Sequence, residues 1–227
     1  MKNRLRDVWA DGKAGFNGWL SFPTTFTAEI SGMQDFDSLV IDLQHGLVDY
    51  QTALLMLQAM SGSDATPMAR VPWLEPGIIM KMLDAGALGI ICPMVNTPEE
   101  AAAFVGACRY APLGYRSSGP TRAAMVQDNY HNEANDQIIS LAMAETVEAL
   151  ENIEKIVKTP GLTGIYVGPS DLGISMGIGP GIDRTEPDYI AATDRILTAC
   201  QSAGIVAGLH CATPAYAKQM IAKGFRF

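Results

Sequence analysis

The sequence predicts an α/β fold: a (β/α)8 TIM barrel forming one domain over residues 1–227. Two observations predict it. Eight short apolar runs alternate with helix-like segments, and each run is strand-sized. A third observation excludes the main competitor, an open dinucleotide-binding sheet: no GxGxxG motif opens a helix directly after the first strand. The GIGPG run at 177–181 lies deep in a loop and reads as a turn.

In chain order the apolar runs are GWLSF (18–22), LVIDL (39–43), PMARV (67–71), GIICPMV (89–95), IISLAMAE (138–145), GIYVG (164–168), IVAGLHC (205–211) and GFRF (224–227). Clear helical segments between them are Tyr50–Met60, Pro76–Leu83, Pro98–Cys108, Val147–Val157 and Pro214–Ala222. Pro76 and Pro98 sit where a first-turn proline is tolerated. Thr97 and Thr213 each precede a proline and read as helix caps. Gly86 and Gly224 follow helices where a left-handed C-cap is expected. The chain as given stops inside strand eight, at Phe227, so the barrel's final helix is expected to be absent from it.

Composition narrows the function. With 227 residues, 48% of them hydrophobic, the chain can bury one large core. The N-terminus is charged and lacks the apolar stretch of a signal peptide, and no apolar run can span a bilayer. The four cysteines show no CxxC spacing and read as reduced thiols of a cytoplasmic protein. The formal net charge is −8 and no basic cluster stands out, which argues against nucleic acid or an anionic membrane as partner.

In such barrels chemistry gathers at the C-terminal ends of the strands. Strand two ends with Asp42, Gln44 and His45; strand three carries Arg70; strand five ends with Glu145; strand six runs into Gly168-Pro-Ser-Asp171. Each has a plain structural alternative: a loop histidine, an ion-pair arginine, a helix-start glutamate, a capping aspartate. Together they form a ring of polar groups at one rim. Two carboxylates, Glu145 and Asp171, suit a hard divalent cation such as Mg²⁺ or Mn²⁺. The Gly168–Asp171 turn would offer backbone N–H groups to an anion. Arg70 could stabilise an oxyanion, and His45 could move a proton near neutral pH. No lysine lies at a strand's C-terminal end, which disfavours imine chemistry.

The segments IDLQHG (41–46), ARVPW (69–73), LDAGALGIICPMVNTPEEA (83–101), YAPLGYRSSGPTRA (110–123), ETVEAL (145–150) and VGPSDLGISMG (167–177) resemble, in order, the metal-dependent, pyruvate-forming 2-oxo-acid aldolases of the HpcH/HpaI family. The resemblance covers about residues 15–227. It implies a retro-aldol cleavage of 4-hydroxy-2-oxo acids to pyruvate and an aldehyde, with a divalent metal (Mg²⁺, Mn²⁺ or Co²⁺). By motif position it implies that Glu145 and Asp171 are metal ligands, His45 the acid/base, Arg70 the pyruvate-binding arginine and Asp84 an aspartate linked to that histidine. It further implies that backbone at Ser170 and Asp171 clamps the pyruvate carboxylate, and that the protein forms a homo-oligomer, a hexamer or trimer.

The chain also departs from the family pattern. Met143 stands where a substrate-contacting glutamine is frequent, Gln44 where a glutamate is frequent, and His210 ends a strand that is usually apolar or small there. His210 could touch the variable end of the substrate, or be a hydrogen-bonded core residue. Two other readings are a carbon–carbon lyase acting on a CoA thioester, of the citryl/malyl type, and a non-catalytic barrel that binds a metal and a 2-oxo acid. The first would need a basic surface for the CoA phosphates.

Overall fold

The computed structural model describes all residues, 1–227. In chain order the elements are α1 (Arg4–Ala10), β1 (Asn17–Leu20), α2 (Thr25–Gly32), β2 (Ser38–Asp42), α3 (Tyr50–Ala59), β3 (Thr66–Arg70), α4 (Pro76–Asp84), β4 (Gly89–Cys92) and α5 (Pro98–Cys108). There follow α6 (Ala123–Val126), α7 (Tyr130–Gln137), β5 (Ile139–Ala144), α8 (Val147–Glu151), α9 (Ile153–Ile156), β6 (Gly164–Val167), α10 (Pro169–Ser175), α11 (Pro187–Ala203), β7 (Val206–Leu209) and α12 (Pro214–Lys223). The strands are ordered β1 to β7 as in the chain, and the pairs β1–β2, β2–β3, β3–β4, β5–β6 and β6–β7 are parallel. No helix is long and apolar enough to cross a membrane.

The chain divides into two compact units. One comprises Met1–Cys92 with Phe104–Ser140, the other Pro93–Ala103 with Leu141–Phe227. In the first unit every residue of β2 and β4 is buried, because a parallel strand is covered on both faces. Its N-terminal helix is pinned in place: the Leu5 N–H donates to the Thr66 hydroxyl at 3.0 Å, and the fully buried Leu5 side chain joins the core. In the second unit α11 buries Tyr189, Ala192, Thr193, Ile196, Leu197 and Cys200, one apolar stripe at helical spacing. Gly204 closes α11 in the left-handed conformation at φ +69.

Seven of the eight expected strands form. The eighth, GFRF, is not a regular strand, yet it lies alongside β7 in the second unit: the Arg226 N–H donates to Ala207 O and the Leu209 N–H to Phe227 O, both at 2.9 Å. The helix expected over Val147–Val157 is two helices, α8 and α9. Asn152 interrupts it, since its side chain turns away to donate to Asn96 O at 3.0 Å. The caps expected at Thr97 and Thr213 form, their hydroxyls accepting from the N–H groups of Glu100 and Tyr216. Gly86 and Gly224 take positive φ after their helices.

Candidate active site

In the first unit the register sets Asp42 beside Arg70 at the C-terminal ends of β2 and β3. The two side chains form a bidentate pair, Arg70 Nε donating to Asp42 Oδ1 at 2.8 Å and Nη2 to Oδ2 at 2.6 Å. The guanidinium also stacks over the Trp19 ring from β1, 4.6 Å from its centroid. Asp42 Oδ1 further accepts the backbone N–H groups of Gln44 and His45, at 3.1 and 3.3 Å. Burial alone would push the Asp42 carboxyl up, but Arg70 and those two N–H groups outweigh it and hold it below its ordinary range. The result is an arginine fixed by Asp42 and Trp19, beside a loop that carries an exposed His45.

Asp84 lies elsewhere in this unit. It ends α4, which returns from the C-terminal end of β3 to the N-terminal end of β4, and so sits at the opposite end of the strands from His45. Its carboxylate accepts from Arg116 Nη2 at 2.6 Å, and Arg116 is buried against the rings of Tyr110 and Tyr130. Within this chain the carboxylate that accepts from the backbone of the His45 loop is Asp42. Gln44 is half-buried and its Oε1 has no hydrogen-bond partner.

In the second unit Glu145 follows β5 and is 1% exposed. Its Oε1 accepts the Met94 N–H at 2.7 Å. Met94 reaches that position with φ +55, a strained conformation for a non-glycine residue that is spent on aiming one N–H at a carboxylate. The segment around it is fixed by the Val95 N–H donating to Met143 O and by a capping box, in which Glu100 Oε2 accepts from the N–H groups of Asn96 and Thr97.

Strand register then aligns three residues. Ala144 pairs with Val167, and Val167 with Leu209, so Glu145, Gly168 and His210 are the residues that come next after the ends of β5, β6 and β7. Gly168 is required there: a Cβ would collide with Glu145 Oε2 and would lie 3.0 Å from the Met143 Cε. Met143 is buried on the same row parity, against that glycine. His210 is half-buried, and its Nδ1 hydrogen-bonds the Tyr166 hydroxyl at 2.8 Å.

Gly168 is the N-cap of α10, Pro169 its first residue, and Asp171 an exposed residue of its first turn. Ser170 is half-buried, its hydroxyl donating to Gly181 O at 3.3 Å. A divalent metal fits the donor set of this unit. Glu145 offers a buried carboxylate oriented by the Met94 N–H, the missing side chain at 168 lets its Oε2 lie close against the backbone that starts α10, and Asp171 of that helix's first turn is a second hard oxygen donor. No group of three or more His, Cys, Asp or Glu side chains gathers as a metal cluster in this structure.

The structure thus brings Asp42, Arg70 and the His45 loop together in one unit, and Glu145, Met143 and the Gly168–Asp171 turn in the other. Sequence reasoning did not find the roles of Asp42, Met94 or Gly168. An aspartate ending an otherwise apolar strand was a visible signal for the first. The strained φ of Met94 leaves no mark in the sequence.

Residues 18–227 match the HpcH/HpaI aldolase/citrate lyase family, and the chain belongs to that family. It is 38% identical over 226 residues to a hydroxypyruvate/pyruvate aldolase of Rhizorhabdus wittichii, covering 99% of this chain and 90% of that one. It is 33% identical over 231 residues to a 4-hydroxy-2-oxo-heptane-1,7-dioate aldolase of Salmonella heidelberg, covering 100% and 87%. Among solved structures, an HpcH/HpaI aldolase/citrate lyase family protein from Burkholderia cenocepacia superposes with a TM-score of 0.91 at 30% identity, covering 99% of this chain and 91% of the other.

Proposed function

We propose that the chain is a pyruvate-forming aldolase, a carbon–carbon lyase that cleaves 4-hydroxy-2-oxo acids to pyruvate and an aldehyde and runs the aldol addition in reverse. Family membership and the two aldolase relatives support this reading. The observation that carries it within the chain is the buried Glu145 carboxylate, oriented by the Met94 N–H and packed against Gly168 at the start of α10. The chain as one domain, closing as an eightfold barrel, is part of the same reading.

Glu145 and Asp171 would hold the divalent cation, Mg²⁺, Mn²⁺ or Co²⁺, which as a Lewis acid stabilises negative charge developing on the 2-oxo acid. The remaining steps fall to side chains and backbone. His45 accepts the proton of the 4-hydroxyl group as the C3–C4 bond breaks and the aldehyde forms. The electron pair of that bond passes to C3, giving the enolate of pyruvate. Arg70, locked by Asp42, donates to the enolate oxygen, where its fixed position needs no reorganisation as charge builds. Backbone at Ser170 and Asp171 holds the carboxylate, and protonation at C3 completes pyruvate. His210 is the candidate for touching the variable end of the substrate, Met143 replaces a polar contact to the substrate with an apolar one, and Gln44 sets the charge beside His45.

The test is pyruvate release from a panel of 4-hydroxy-2-oxo acids, after EDTA treatment and after adding back Mg²⁺, Mn²⁺ or Co²⁺. The reading expects release that EDTA abolishes and metal restores. No release with any substrate and metal would contradict it, and cleavage of a CoA thioester instead would favour the citryl/malyl type of lyase.

A further inference from the structure

The GIGPG turn at 177–181 and the residues after it form a strap in the second unit. Arg184 is its centre. The side chain is buried, 4% exposed, and donates from Nη1 to Gly179 O at 2.6 Å and from Nη2 to Ile178 O at 3.1 Å and Glu186 Oε1 at 2.7 Å. It stacks on the Tyr189 ring of α11 at 5.5 Å. Gly177 and Gly179 take φ +77 and +76, the left-handed turns that bring those carbonyls to the guanidinium. The same Nη1, with Gly179 O, lies against Gly173 of α10, where a Cβ would collide with both. The Ser170 hydroxyl donates to Gly181 O in the same strap. The next residue back, Asp183, faces away from Arg184's partners: Oδ1 accepts the Ala212 N–H at 2.8 Å and Oδ2 the Thr213 hydroxyl at 2.6 Å. Thr213 caps α12, two residues beyond Cys211 and three beyond His210.

We propose that Asp183 and Arg184 are a positioning pair. Arg184 clamps the strap onto α10 and so fixes the first turn that presents Ser170 and Asp171. Asp183 ties the same strap to the segment after β7 that follows His210. The proposal rests on the reading that Asp171 and the Ser170 backbone take metal and carboxylate. A guanidinium is suited to this task because its planar fork holds two carbonyls and a carboxylate at once, which a lysine cannot do. Neither residue touches substrate; both act through the turn.

The experiment compares Arg184→Met and Arg184→Lys with wild type by two readouts. One is amide hydrogen exchange across 169–175. The other is Mn²⁺ titration together with the KM for pyruvate in enzyme-catalysed proton exchange. Loss of supporting hydrogen bonds around a metal site costs about 10- to 100-fold in metal affinity. The expected result for Arg184→Met is therefore faster exchange in α10, a rise of about 10-fold or more in Mn²⁺ Kd and in KM, and a smaller change in kcat. Arg184→Lys falls between the two and carries the test if the Met variant fails to fold. Unchanged protection of α10 would overturn the proposal, as would unchanged Mn²⁺ affinity and KM in a variant whose α10 exchange has quickened. Wild-type protein that binds no Mn²⁺ would contradict the Glu145–Asp171 reading instead, and the exchange arm alone would then decide for or against the strap.

Discussion

Arg70 illustrates what one side chain can be made to do by its neighbours. Alone, an arginine near the end of a strand is as easily structural as functional. Here Asp42 holds two of its nitrogens and Trp19 covers its face, so its position is set before any ligand arrives. Removing Asp42 leaves a largely buried guanidinium without its counter-charge, and Asp42→Ala is expected to cost about 3 kcal/mol in urea unfolding at neutral pH. The pH dependence follows from the lowered Asp42 pKa. The pair's contribution is fully present above the ordinary carboxylate range and is lost as pH falls through the depressed folded value. The stability gap between wild type and Asp42→Ala should therefore narrow in acid; a gap independent of pH would show that the pair is not the cause. At Gly168 the expected effect is local. Gly168→Ala places a methyl against Glu145 Oε2 and should abolish Mn²⁺ binding while leaving far-UV circular dichroism intact. His45, Arg70, Glu145 and Asp171 could all be picked out in the sequence as polar residues at strand ends. The pairing of Asp42 with Arg70 could not, because it depends on the register of two strands 28 residues apart.

At the level of elements, buried parallel strands write themselves plainly as short apolar runs, and all seven strands of the structure are legible for that reason. What fixes the loops between them was less so. The helix over 147–157 reads as continuous by composition, but Asn152 breaks it in order to bind the carbonyl of Asn96. That carbonyl belongs to the segment that aims Met94 at Glu145, so the break and the site share a cause. Helix α11, the longest in the chain, is not among the helices anticipated from the sequence, although its buried positions keep helical spacing. Its exposed face is polar, and the GIGPGIDRTEP stretch before it reads as loop. The capping box at the start of α5 gives a prediction at this scale. Thr97→Ala removes a hydroxyl that accepts the Glu100 N–H and is expected to cost about 1 kcal/mol in thermal or urea unfolding. Because the cap anchors the Met94 segment, the variant should also weaken Mn²⁺ binding; a stability loss with unchanged metal affinity would separate cap from site.

For the whole molecule, the thiols give a direct check on burial. Burial pushes Cys108 up to about 11 and Cys200 to about 12; burial, with Asp183 nearby, pushes Cys211 to about 11. None of the four cysteines forms a disulfide. The native protein should resist iodoacetamide at neutral pH, since thiolate is the reactive form, and take up label at four sites only when unfolded. Rapid labelling of Cys108 or Cys200 in native protein would contradict the packing described. Large apolar side chains also stand exposed on the strand-end loops of the first unit, among them Phe22, Leu47 and Trp73. A homo-oligomer, hexamer or trimer, would account for them, and light scattering on the purified protein should return a multiple of the 24.3 kDa chain.

The central claim is that Glu145 anchors a divalent metal that lets this chain form the enolate of pyruvate. The most direct measurement is deuterium uptake into the methyl group of pyruvate in D₂O, followed by proton NMR with Mg²⁺ present, for wild type and Glu145→Gln. It needs no knowledge of the aldehyde. The account predicts exchange by wild type that EDTA stops and Mg²⁺ restores, and none above background by Glu145→Gln. Exchange that persists in EDTA, or in Glu145→Gln at the wild-type rate, would contradict it.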